Sequence, residues 1–137
     1  MSLQYSSSIK NCKIENSSFE TYNNTSTVYF KNSTINNSQL IYNTWCSACD
    51  IIFDSCIITI DSELSFIRMS AGKTKLLKFI NNQIKNFSTK SLIYMYDTSY
   101  SIPNANIILN NNNITQTNSA YIFNGIAIKV VLLNFQH

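Results

Sequence analysis

One short pattern of apolar and polar positions recurs along this chain. It runs apolar, any, apolar, any, then Asn or Ser, two further residues, and Ile. The copies occupy Ser7–Ile14, Val28–Ile35, Ile51–Ile58, Leu77–Ile84 and Ile107–Ile114, with a weaker sixth start over Val130–Phe135. Anchored on Ile9, Phe30, Phe53, Phe79 and Leu109, successive copies lie 21, 23, 26 and 30 residues apart. An amphipathic helix repeats its apolar positions at three and four, whereas these alternate at two, the period of a strand. A fixed strand followed by an excursion of varying length predicts a solenoid whose loops emerge on one side.

Each copy is followed by a second apolar segment: Phe19–Tyr22, Leu40–Tyr42, Leu64–Ile67, Leu92–Tyr96 and Tyr121–Phe123. One coil therefore holds a first strand, an Asn corner, a short second strand opening near the Ile, and a third strand rich in aromatics. Stacked at about 4.8 Å, equivalent positions align into ladders. The inward ladder is predicted to be Ile9, Phe30, Phe53, Phe79 and Leu109, backed by Ile14, Ile35, Ile58, Ile84 and Ile114. Asn11, Asn32, Ser55, Asn81 and Asn111 are predicted to form a structural column at one corner, where stacked amides can bond along the axis. Only two Gly and one Pro are present. Asn, which tolerates left-handed backbone better than other non-Gly residues, must supply the turns.

These features resemble the right-handed parallel β-helix of the pectin-lyase-like superfamily, in which adhesin-like and structural members occur beside enzymes. The resemblance covers about Ser7 to Phe135 and implies an all-β, right-handed parallel β-helix (solenoid) of about five coils. Residues 1–137 then form a single β-helix domain, either alone or as a segment of a longer solenoid. An antiparallel β-sandwich is the alternative architecture. Right-handedness is implied by the resemblance and not by the spacing.

Composition agrees with an ordered β protein. Hydrophobic residues make up 45% of the chain and charged residues only 12%, about half the usual charged share. Eight Tyr and eight Phe argue against disorder despite the wealth of Asn, Ser and Thr. The net charge of +3 comes from scattered lysines, so no basic face marks nucleic acid as a partner. No apolar stretch approaches the ~20 residues of a transmembrane helix. Met1 to Lys10 lacks the apolar core of a signal peptide, so either the protein stays where it is made or this is an internal piece of a longer chain.

Candidate chemistry is sparse. Pectin-degrading members of the superfamily resembled here depend on clustered acids, but Asp54, Asp61 and Glu63 have Lys, Asn or Ser at equivalent positions of neighbouring coils. No acidic ladder forms, and neither a converging carboxylate pair nor a six-oxygen calcium site is recognisable. The sequence points away from an enzyme and implies no cofactor or metal. Cys46 and Cys49, in Trp45-Cys46-Ser47-Ala48-Cys49, are a candidate disulfide or redox pair, with purely structural cysteines as the other reading. Cys12 and Cys56 fall at one pattern position two coils apart, about 9.6 Å at the inter-strand spacing. That is too far for a disulfide. Sequons such as Asn16, Asn32, Asn86 and Asn113 are compatible with an extracellular or cell-surface setting.

The expected role is a structural or interaction module, a rod segment that binds neighbouring subunits, or further β-helix coils, in a surface or filamentous assembly. The aliphatic run containing Ile128, Val130, Val131, Leu132 and Leu133 is its candidate interface. A carbohydrate-binding or carbohydrate-acting protein is the alternative, with Tyr94, Tyr96 and Tyr100 as aromatic platforms for a glycan.

Overall fold

The computed structural model describes residues 2–3, 6–21, 27–42, 50–61, 63–70, 75–96, 105–116, 123–124 and 128–135. Sixteen strands and no helix occur among them. In chain order they are β1 (Ser2–Leu3), β2 (Ser7–Lys10), β3 (Lys13–Glu15), β4 (Ser18–Thr21), β5 (Thr27–Lys31), β6 (Thr34–Asn36), β7 (Gln39–Tyr42) and β8 (Asp50–Asp54). The second half adds β9 (Ile57–Ile60), β10 (Ile67–Ser70), β11 (Lys75–Ile80), β12 (Gln83–Asn86), β13 (Ile93–Tyr96), β14 (Ala105–Gln116), β15 (Phe123–Asn124) and β16 (Ile128–Phe135).

Every strand pair is parallel. A six-stranded sheet runs β1-β4-β7-β10-β13-β15, and a ten-stranded sheet runs β2-β5-β8-β11-β14-β12-β9-β6-β3, with β16 added on β14. Up to β11, each strand pairs with the strand three elements later. The result is all-β, with the large parallel sheet curled as a half-barrel, an arrangement compatible with a parallel β-helix and not with an antiparallel sandwich. In the fifth repeat the first and second strands are one element, because β14 continues through the Asn111 corner and joins what would otherwise be two sheets.

The register follows the sequence pattern. Ile9 pairs with Phe30, Phe30 with Phe53, Phe53 with Phe79, Phe79 with Leu109, and Leu109 with Leu132. The second column pairs Ile14 with Ile35, then Ile58, Ile84 and Ile114 in turn. Period-two alternation places these side chains on one face, so β5 and β8 alternate between half-buried and buried positions. Phe30, Phe53 and Phe79 are almost wholly buried and stack with ring centroids 4.8 and 4.9 Å apart, at interplanar angles of 11° and 13°. Those separations equal the strand spacing, so the register imposes near-parallel rings. The apolar area buried, 150–250 Å² for a typical aromatic side chain, outweighs a stacking geometry that ring quadrupoles do not prefer. Ile9, Ile14 and Ile114 are only partly buried, because the end of the column leaves each a neighbour on one side alone.

Two expectations need correction. In the third repeat the third strand begins at Ile67 rather than spanning Leu64–Ile67. Leu64 is 43% exposed in the preceding turn, while Phe66 turns inward against Phe53, 5.1 Å between centroids. The varying excursions also do not emerge on one side. The first corner keeps one length, residues 11–12, 32–33, 55–56 and 81–82. Growth falls at the second corner, from 16–17 and 37–38 to 61–66 and 87–92, while the segments joining third to first strands, 22–26, 43–49, 71–74 and 97–104, vary in length without a trend. Variation therefore flanks the six-stranded sheet on both sides.

Candidate functional site

Two corners set the geometry of this protein, and both are built from left-handed residues. Asn11, Asn32, Ser55, Asn81 and Asn111 at the first corner, with Asn16 and Asn37 at the second, have φ between 45° and 56°. That conformation costs most residues about 1–2 kcal/mol and Asn less, which explains the composition. Each first-corner N–H preceding the last repeat reaches the next repeat: Asn11 donates to the Lys31 carbonyl, Asn32 to Asp54, Ser55 to Ile80 and Asn81 to Asn110, at 2.9–3.1 Å. An amide–amide bond in this column joins Asn111 Nδ2 to Asn81 Oδ1 at 2.7 Å.

The buried relay lies one residue later. Cys12 N–H donates to Ser33 Oγ, Cys56 N–H to Asn82 Oδ1, and Asn82 N–H to Asn112 Oδ1, at 3.3, 2.8 and 2.9 Å. The Asn82 amide also donates to the Phe53 carbonyl and to Asn112 Oδ1, and the Asn112 amide donates to the Phe79 carbonyl. At the second corner Ser17 N–H donates to Ser38 Oγ at 3.1 Å. Asn82 and Asn112 are 2% exposed, so the relay satisfies polar groups that would otherwise be costly inside an apolar core. The sequence signal for it is the small or amide side chain following every first-corner residue: Cys12, Ser33, Cys56, Asn82 and Asn112.

Among the described residues the first repeat forms one edge of the large sheet. β2 and β3 stand at the two ends of the ten-stranded path, and beside them lies a hollow of about 890 Å³ whose lining includes Ile9, Ile14 and Phe19. Phe19 seals its floor edge-on to Phe30, 5.8 Å between centroids at 81°. Cys12 Sγ donates to the Lys10 carbonyl at 3.1 Å and Ser17 Oγ to the Glu15 carbonyl at 2.9 Å. On the rim Lys13 pairs with Glu15 at 3.0 Å. Hydrogen bonds from Lys13 first, and then Asn36, hold the Glu15 carboxyl below its usual range.

A second polar cluster lies on the outer face of the large sheet. Asp54 Oδ2 accepts from Tyr29 Oη at 2.7 Å and faces Lys31 Nζ at 3.4 Å, while Oδ1 accepts from Ser55 Oγ at 2.8 Å. The Tyr29 bond leads the lowering of the Asp54 pKa and, seen from the other partner, the raising of the Tyr29 pKa. Asp61 and Glu63 are both exposed, and Glu63 accepts from Thr89. Among the described residues no group of three or more His, Cys, Asp or Glu side chains could hold a metal ion. No helix there is long and apolar enough to cross a membrane.

Cys12 and Cys56 are free thiols, the first exposed and the second buried, and burial pushes the Cys56 thiol up. Asn86 is 1% exposed with its amide bonded to the Lys90 carbonyl and Gln116, a poor glycan acceptor. Tyr94 is 38% exposed on β13. Cys46, Cys49 and Tyr100 lie outside the described residues, as do the side chains of Tyr96, Ile128, Val130, Val131, Leu132 and Leu133. The backbone of that last run forms β16, paired in parallel with β14 on one side. Comparison with models of protein families, with curated proteins and with solved structures finds no match for this chain.

Proposed function

We propose that this chain is a right-handed parallel β-helix of the pectin-lyase-like kind, serving as a rod segment that joins neighbouring subunits through its ends. The handedness follows from the strong preference of parallel crossovers for the right-handed path. What carries the reading is the first-repeat end, where edge strands border a hollow whose lining sets Ile9, Ile14 and Phe19 among polar side chains. Unpaired strand edges over apolar side chains are strong templates for association. Sedimentation of the purified 137-residue chain should reveal concentration-dependent association, and Ile14→Lys should weaken it while circular dichroism stays β-rich. A monomer at high concentration refutes the reading.

One observation favours a second role. Tyr94 presents an exposed ring on the six-stranded sheet, in register with Arg68 on β10 and Asn124 on β15. An exposed aromatic ring with Arg68 at the paired position suits a sugar ring. A glycan-array screen separates the two roles: specific binding lost in Tyr94→Ala supports the carbohydrate reading, and a blank array removes it.

A further inference from the structure

The subunit-joining role leaves open which surface meets the first-repeat end, and we infer that it is β16 of a second copy, added in parallel to β2. This inference rests on that role and gives it a partner and a register. The interior joints supply the template. Between successive repeats the corner N–H of one copy donates to a carbonyl of the next, as Asn11 does to Lys31, and the second strand returns a bond, as Thr34 N–H does to the Cys12 carbonyl. The residue after the corner donates its N–H to a side chain in the following repeat, as Cys12 does to Ser33 Oγ.

At the first repeat the matching acceptors are the Lys10 carbonyl, Cys12 Sγ and, at the second corner, Ser17 Oγ. Among the described residues no strand lies beyond them to supply donors. The incoming rung must therefore carry an alternating strand, a residue suited to the left-handed corner, and an N–H after it. β16 has that form. It continues the register of β14, with Leu109 beside Leu132 and Asn112 beside Phe135, which puts Asn134 at the corner position. On the second copy's β2, Leu132 then stands beside Ile9, Asn134 beside Asn11 and Phe135 beside Cys12. β15 and β1, at opposite ends of the six-stranded sheet, meet in the same movement. The face holding β3 has one rung fewer than the β2 face, so the join pairs two faces and leaves width for one more strand on the third. A head-to-tail contact of this kind does not close on itself and builds a filament. Six rungs per copy give an axial repeat of about 29 Å.

The test exploits Cys12. Neighbouring parallel strands bring equivalent Cα atoms about 4.8 Å apart, within bridging range of a disulfide. Oxidised F135C should give a ladder of covalent dimers, trimers and longer species, and C12S/F135C should not. Dimers through Cys12 in the unsubstituted chain, with nothing longer, would mean head-to-head contact and overturn the inference. Association seen by sedimentation without the F135C ladder would overturn the β16 register and leave the subunit-joining role standing; a monomer removes both. Should F135C fail to fold, electron microscopy of the unsubstituted chain decides. Filaments with an axial repeat of about 29 Å support the inference, and their absence overturns it.

Discussion

Replacing Phe53 by Ala tests the core where it is most constrained. The ring is 1% exposed and sits between Phe30 and Phe79, with Phe66 tilted against its side. Removing it takes a buried aromatic side chain from the column and opens a space bounded above and below by rungs whose spacing the backbone fixes. Residual cavity volume costs about 24 cal/mol per Å³, so ~80 Å³ left unfilled adds about 2 kcal/mol to the lost transfer energy. The sum belongs in the upper part of the usual 3–5 kcal/mol range for Phe→Ala, because this site cannot collapse. With a urea slope of about 2 kcal/mol/M, the midpoint should fall by roughly 2 M. Ile114→Ala is the internal control. Ile114 is only partly buried where its column ends, so its removal should cost about 1–2 kcal/mol, less than a typical core Ile→Ala. Equal midpoint shifts for the two variants would mean that Phe53 is not held between rigid rungs.

Asn82→Ala strips the Cys56 N–H and the Phe53 carbonyl of their buried partners. It should cost about 1–3 kcal/mol per orphaned group, whereas Asn81→Gly, at the exposed corner next door, should cost under about 1 kcal/mol; equal melting shifts would refute the relay. A pH prediction follows from Asp54, whose carboxyl the Tyr29 hydroxyl holds below its usual range. A depressed folded-state pKa gives stability that is present above the unfolded value of about 3.9 and lost as pH falls through the folded value. Tyr29→Phe should therefore lose stability near pH 6 and show a shallower decline below pH 4, and parallel stability–pH curves for the two proteins would contradict that linkage.

The strand columns were legible because two independent signals agree on them. Period-two alternation says which residues share a face, and the corner Asn or Ser fixes where each repeat starts. Together they yield the pairing of Ile9 through Leu109 without reference to loop length. The buried relay was harder to see for a plain reason. In the fourth and fifth repeats the corner residue and its successor are both Asn, Asn81-Asn82 and Asn111-Asn112. Letters alone cannot say which of the two turns the backbone and which points inward. Backbone φ makes that distinction. Phe66 was obscured similarly: Leu64, Phe66 and Ile67 all suit a strand, and only the packing of Phe66 against Phe53 and Phe79 shows that it joins Ile67 in the core while Leu64 stays exposed. The Tyr29–Asp54–Lys31 cluster joins residues of different repeats, Lys31 directly across from Asp54 and Tyr29 diagonally, so it emerges only once the register is known.

The faces and the ends of this molecule differ in what they offer a partner. Several polar groups away from the ends already have companions in a neighbouring rung: Tyr29 with Asp54 and Asn36 with Glu15 on the strands, and Thr89 with Glu63 at the second corner. A ligand on a face must break such a pair or settle for what surrounds it, and exposed ion pairs contribute little to affinity either way. At the first-repeat end the geometry is reversed. Carbonyls and side-chain acceptors are held in register at the strand spacing, over an apolar hollow, in the arrangement that each interior joint has already filled. A partner that reproduces one more rung gains several hydrogen bonds and the burial of Ile9 and Ile14 at once, with the receiving backbone ordered in advance. On the proposed subunit-joining role, association energy would concentrate along the axis, at β2 and β16, and not on the broad outer sheet.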